Sequence, residues 1–475
     1  MAGAGLSAAL RLARRFGIDR AVTFTLLGRG WAAISGLVTL ALLTRFLSRD
    51  QQGLYYTFGS VLNLVVFFEL GLTFVIMQFA SHERAKLEWA SDGTLQGEPE
   101  AKARLAGLLR FTLIWYGILA VLVVATILPL GLLFFGRYAP HGVPLVWRAP
   151  WVWTVLLCAM SLALTPLFAV LEGCGLIAEI AKIQMVQLVL ASLLNWTVLC
   201  QHWALFAAPF SGTLPLLLTA LWLWRTKRVF LLDLVRLSRR QAGSGASVSW
   251  RQEIWPFQWK MALSGMSGYL VFSLFNPVLL ATRGASAAGQ LGLCLNVMSA
   301  ISTVALAWIT TKSAIFGTLI AKREFQRMDR IFFPCLWYSW AVVVFGGTSF
   351  WLAALYLHHI HHHLATRILA PLPLGLLVLT IILYHGVSAE AIYLRAHKQE
   401  PLLWLSVTGA CLIALLDFLL GRRFGATGLM AGYLAVTAVV GLGGGTWLFT
   451  RKRREWHGEP QWQGGSERQG ELIEQ

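Results

Sequence analysis

Apolar runs of about twenty residues recur along this chain, and a run of that length crosses a bilayer as a helix. Twelve are found, near residues 21–44, 54–80, 108–135, 149–171, 176–200, 203–224, 256–281, 288–316, 331–357, 367–391, 401–421 and 427–450. Glu172, Glu179, Lys182 and Pro209 interrupt the fourth to sixth of them. Across 475 positions, hydrophobic residues make up 57% and charged residues only 13%, too little polar surface for a water-soluble enzyme. The expected fold class is all-α: a polytopic membrane protein of about twelve transmembrane helices.

The formal charge of +17 would suggest nucleic acid in a soluble protein. Here the basic residues sort by side instead. With both termini cytoplasmic, the inner segments hold 30 of the 39 lysines and arginines and the outer segments 8, which leaves Arg29 alone within a span. No nucleic-acid partner is expected. The same reading gives a basic amphipathic N-arm (1–20), a six-helix N-lobe (21–225) and a basic, GSG-containing cytoplasmic linker (226–255). A six-helix C-lobe (256–450) and a polar cytoplasmic tail (451–475) follow. The two halves echo one another: Thr44-Arg45 precedes Gly53, and Thr282-Arg283 precedes Gly292, at nearly equal spacing. Paired halves with a site between them are a recurrent transporter design.

The first hairpin carries a more particular pattern: Leu43-Thr44-Arg45-Phe46-Leu47, then Gly53-Leu54-Tyr55, then Glu69-Leu70-Gly71-Leu72. It resembles the polysaccharide flippases, the Wzx-like O-antigen and exopolysaccharide branch of the multidrug/oligosaccharidyl-lipid/polysaccharide (MOP) exporter superfamily. Close resemblance covers about one sixth of the chain. The chain departs from the pattern in having Glu69 where the family often has Asp, Asn276 near where its seventh helix often has Asp, and no Pro ending the eighth. The resemblance implies two six-helix lobes of MATE/MOP type in the bacterial inner membrane. It also implies translocation of a polyprenyl-pyrophosphate-linked oligosaccharide by alternating access, for surface polysaccharide synthesis. The partners would be that lipid-linked glycan, membrane lipids, and a polysaccharide polymerase with its glycosyltransferases.

Ionisable residues within spans are costly in hydrocarbon and by default face a cavity or a partner. Arg29 and Glu69 lie at matched depth in the first hairpin. Two readings stay open: a structural ion pair, or Arg29 lining a cavity and meeting the substrate pyrophosphate with Glu69 as counter-charge. Lys260 and Lys312 would snorkel to headgroups or give the C-lobe a cationic cavity face. Asn63 and Asn276 are polar intramembrane residues able to bond across helices. Arg45 and Arg283, at the outer helix ends, read as gate residues or headgroup anchors. Lys182 reads as a surface partner of Glu179, and Trp147, Trp151, Trp153, Trp250, Trp255 and Trp259 as an interfacial belt.

Neither a nucleophile motif nor a Walker sequence nor HExxH occurs, the six cysteines are scattered, and no enzyme chemistry or cofactor is expected. The histidines at 358, 359, 361, 362 and 363 invite a metal, but no Cys or acidic residue lies near them, so no metal site is expected. Two other functions compete. An ion-coupled exporter of small amphipathic cations would favour an acidic or aromatic cavity. A glycan polymerase or ligase would need a larger outward loop than any found here.

Overall fold

The computed structural model describes residues 20–69, 71–90, 92–139, 146–240, 255–397 and 399–457. The N-arm before Arg20, linker residues 241–254 and tail residues 458–475 lie outside the described residues.

The chain is almost wholly helical. The N-lobe holds α1 (Arg20–Phe46), α2 (Arg49–Leu62), α3 (Val66–Glu69) and α4 (Leu72–Arg84), then α5 (Pro99–Tyr138), α6 (Arg148–Gly173), α7 (Ile177–Cys200), α8 (Ala207–Trp222) and α9 (Arg228–Arg240). The C-lobe holds α10 (Trp255–Phe272), α11 (Phe275–Arg283), α12 (Ala285–Thr310), α13 (Ser313–Ala321), α14 (Phe325–His359), α15 (Pro371–Ala396), α16 (Leu403–Val436) and α17 (Gly445–His457). A small antiparallel hairpin, Leu87–Trp89 against Leu95–Gly97, joins α4 to α5.

Among the described residues, nine helical stretches are long and apolar enough to cross a membrane unaided. The count of twelve is recovered through three irregularities. The second span is broken: after α2 the backbone tightens into a 3₁₀ turn at Asn63–Val65, and Gly71 then takes φ 66°, a conformation cheap only for glycine. The seventh is broken between α10 and α11. Pro277 has no N–H to offer the Ser273 carbonyl one turn back, and the break falls at that carbonyl. The last two spans share α16, bent at Gly425 (φ 62°, ψ −141°).

The sixth and twelfth spans each pass through a π-helical stretch, Leu223–Lys227 and Thr437–Gly444, and continue as the basic helices α9 and α17. The first part of the segment 226–255 is therefore helical. An ion pair between Lys102 and Asp233 (2.8 Å) and the Trp89–Phe230 ring contact tie it to the N-lobe. Glu179 pairs with Lys227 at 2.7 Å, not with Lys182.

Side chains such as Leu133, Phe345 and Val439 point outward, as a lipid-facing surface requires. Trp151 does not belong to an interfacial belt. It is fully buried against Phe58 and Phe135, its Nε1 donates to the Leu128 carbonyl at 3.2 Å, and a Cβ at Gly131 would meet its ring at 2.1 Å. A second core in the C-lobe gathers Phe316, Phe332, Tyr393 and Phe449.

The lobes meet tightly at the end opposite the described chain ends, where α2 crosses α12. A Cβ on Gly53 would lie 1.9 Å from the Ala285 carbonyl oxygen, one on Gly289 2.8 Å from the Gly53 nitrogen, and one on Gly292 2.5 Å from the Tyr56 Cβ. The two glycines that echo in sequence, Gly53 and Gly292, both lie on this seam.

Candidate functional site

The broken second and seventh spans face each other across the lobe interface. Two side-chain hydrogen bonds cross between the breaks. Asn63 Nδ2 donates to Ser273 Oγ at 3.0 Å, and Asn276 Nδ2 donates to Ser60 Oγ at 3.0 Å. Both arms have the spacing Ser-x-x-Asn (60–63 and 273–276), so one turn of chain presents a donor and an acceptor on the same side.

These four residues line a cavity of 640 Å³ between the lobes. Its wall continues along α12 through Asn296, Ser299, Ser302, Thr303 and Leu306, and aromatic faces come from Tyr55, Tyr56 and Tyr384. Among the described residues its lining carries no Asp, Glu, Lys or Arg. Hydroxyls, amides and rings can bind a neutral polar group by hydrogen bonding and stacking, with no net charge to balance.

His385 stands at the cavity edge. Ser339 Oγ lies 2.7 Å from the Ala305 carbonyl oxygen and 2.6 Å from His385 Nε2. The carbonyl can only accept, and the hydroxyl owns one proton, so the imidazole donates from Nε2. Nδ1 is then the bare nitrogen, and it has no partner among the described residues.

The residues singled out from sequence separate. Asn63 is in the cavity. Arg29 is exposed on α1 and reaches across to the C-lobe, its Nη1 3.4 Å from Thr310 Oγ1. Glu69 accepts from Thr73 Oγ1, whose oxygen is 2.9 Å from Tyr116 OH. Arg29 and Glu69 thus form no ion pair among the described residues. Glu69, beyond the 3₁₀ break at Asn63–Val65, bonds instead to Thr73 of α4 beside Tyr116 of α5. Lys312 is half-buried in the turn between α12 and α13. Lys260 belongs to α10 by its backbone, and its side chain lies outside the described residues. Arg45 is exposed with its guanidinium 5.6 Å from the Phe46 ring centre. Arg283 donates to the Arg423 carbonyl at 2.9 Å and braces the bend at Gly425.

Two groups escaped the reading of the sequence. Gln52 is buried in the seam, donating to Gly289 O at 2.8 Å and accepting from Arg367 Nη1 at 3.1 Å. A lone glutamine next to a Gly carries no sequence signal. Asp417 is fully buried in α16, and neither carboxylate oxygen has a hydrogen-bond partner among the described residues. That one was detectable: a single acid within LIALLDFLLG is an intramembrane ionisable residue of the kind that marks a proton or cation relay.

Compared with known proteins, the chain matches no protein-family model and no curated protein. It is similar to solved structures over nearly its whole length. One is the lipid II flippase MurJ in an inward closed conformation (TM-score 0.62, 11% identity, 91% of this chain and 87% of that one). A second is a multidrug resistance MATE family transporter of the MOP superfamily in an inward-facing conformation (TM-score 0.60, 15% identity, 91% and 95%). A third is a MOP superfamily transporter from Pyrococcus furiosus described as having reversed binding-pocket polarity (TM-score 0.52, 14% identity, 92% and 95%). The three are transporters rather than enzymes, and identities this low speak for the fold alone. This chain is a multi-pass membrane protein with the MATE/MOP transporter fold.

Proposed function

We propose that this protein flips an amphiphile with a hydroxyl-rich head, a polyprenyl-pyrophosphate-linked oligosaccharide, across the bacterial inner membrane. The observation that carries this reading is the uncharged, hydroxyl- and amide-lined cavity between the lobes. Sugar hydroxyls exchange their water for Ser, Thr and Asn side chains at little net cost, whereas a lone organic cation would find no carboxylate there. The pyrophosphate needs a cation, and Arg29 is suited to supply it. Its partner Thr310 lies one turn beyond the cavity-lining Leu306, about 6 Å along α12 toward the end that carries the described chain ends. A single 3.4 Å contact to a hydroxyl leaves most of the guanidinium fork free for phosphate oxygens. Export of a small amphipathic molecule has equal support from the fold, and the tyrosines of the cavity favour it.

One assay separates the two readings: surface-glycan complementation in a flippase-null strain, beside resistance of the same cells to lipophilic cationic dyes. Arg29→Ala should lower glycan display about tenfold or more at normal protein abundance, and Arg29→Lys should lower it less. Full glycan display with Arg29→Ala would overturn the role of Arg29. Dye resistance without complementation by the wild-type chain would replace flipping with small-molecule export.

A further inference from the structure

Away from the transport cavity, at the end of the C-lobe that carries the last described residues, a pocket of 1080 Å³ opens between the start of α14 and the end of α17. It shares no residue with the lining of the cavity between the lobes.

Its charges do not balance. Arg323, Arg327, Arg330 and Arg453 face two carboxylates, and both carboxylates are already committed. Glu324 Oε2 takes Arg327 Nη1 at 3.0 Å. Asp329 takes Arg453 through Nε at 3.1 Å and Nη2 at 2.5 Å, and accepts from Tyr393 OH at 2.6 Å. Arg323 and Arg330 have no acidic partner among the described residues. The same rim holds the N-terminus of α14, a helix of 35 residues whose N-cap Glu324 makes no side-chain cap. The first-turn N–H groups there are free of intrahelical acceptors and carry the positive end of the helix dipole.

The walls are fixed. Phe325 stacks on His457 with ring centres 4.2 Å apart, and His397 stacks on Trp456 at 4.4 Å. The two imidazoles meet through their Nε2 atoms at 3.1 Å, so α14, α15 and α17 are joined behind the pocket. Arg323 is held at φ 57°, a left-handed conformation that a residue with a Cβ rarely adopts.

Two unpaired guanidinium forks beside orphan helix N–H groups are complementary to a group with several oxygens and more than one negative charge. We propose that this pocket binds a phosphate-bearing anion through Arg323, Arg330 and the start of α14. The phosphate could belong to an anionic phospholipid headgroup or to a soluble pyrophosphate compound, and the two sources are separable by experiment.

The test uses the full-length protein in nanodiscs and follows thermal unfolding by tryptophan fluorescence. One arm adds inorganic pyrophosphate to phosphatidylcholine discs, against sodium chloride at matched ionic strength. The other compares phosphatidylglycerol with phosphatidylcholine discs without pyrophosphate. In at least one arm the wild type should melt several degrees higher. R323A/R330A should need about tenfold more of that ligand or more for the same shift. The control R451A/R454A, which removes as much charge from α17 outside the pocket, should respond like wild type. Should R323A/R330A fail to reach the membrane, R323K/R330K keeps the charge without the forks and should show a partial loss. Stabilisation by pyrophosphate in neutral discs assigns a soluble ligand, and stabilisation by phosphatidylglycerol alone assigns a headgroup. No stabilisation in either arm, or an equal loss in R451A/R454A, would overturn the proposal.

Discussion

The two lobes touch in two different ways within one interface. At the seam, α2 and α12 approach so closely that their backbones are in contact through Gly53 and Gly289, and the buried Gln52 joins α12 to the loop that carries Arg367. At the cavity, the helices are broken, and two amide–hydroxyl bonds and the Phe67–Tyr269 ring contact cross between them beside open space. In lipid there is no hydrophobic force between helices, so close backbone packing supplies most of the cohesion. The seam therefore holds the lobes together, and the cavity leaves polar groups free to be used. A protein closed this way at one end can offer its polar interior toward the other.

That contrast can be broken by experiment, and the largest effect belongs to the seam. Gly53→Val would drive a side chain into the Ala285 carbonyl, where only separation of the helices relieves the clash. It should cost about 3 kcal/mol or more, read as a lower melting temperature and a longer spin-label distance between α2 and α12. An unchanged distance would mean that cohesion lies elsewhere. Gln52→Leu comes next. It leaves Arg367 Nη1 without its acceptor, strips the Gly289 carbonyl of its second hydrogen bond and should cost about 2 kcal/mol by the same melting measurement. Burial, with Arg49 close by, already draws the pKa of Arg367 below its usual value. The smallest effect belongs to the cavity pair. Asn276→Ala should cost about 1 kcal/mol, and Asn63→Ala less, because Asn276 is buried and Asn63 is exposed to the cavity. Equal costs would show that the cavity is as dry as the seam.

Much of the fold was legible because hydropathy in a bilayer is decided locally. Each run of twenty apolar residues reports its own span without reference to any neighbour. The breaks were less legible. Asn63 and Gly71 could have been read as interruptions of the second span, and Pro277 of the seventh, yet whether such a residue bends, breaks or leaves a helix unchanged depends on what lies opposite. Trp151 shows the same limit: a tryptophan near a helix start reads as interfacial, and only Gly131 on the facing helix makes the space that buries it.

The sequence alone determined that this chain is a membrane protein of about twelve helices, that most of its basic residues lie outside the apolar runs, and that Asn63 and Asn276 are polar residues placed to bond across helices. Each of these follows from what a stretch of residues can do in hydrocarbon by itself. The tertiary structure decided which polar groups meet. It set Arg29 against Thr310 rather than Glu69, joined the two Ser-x-x-Asn segments across the lobes, and left the cavity uncharged among its described residues. Those pairings join residues more than 200 positions apart, and helix orientation about its own axis, which fixes them, is set by packing against neighbours rather than by hydropathy.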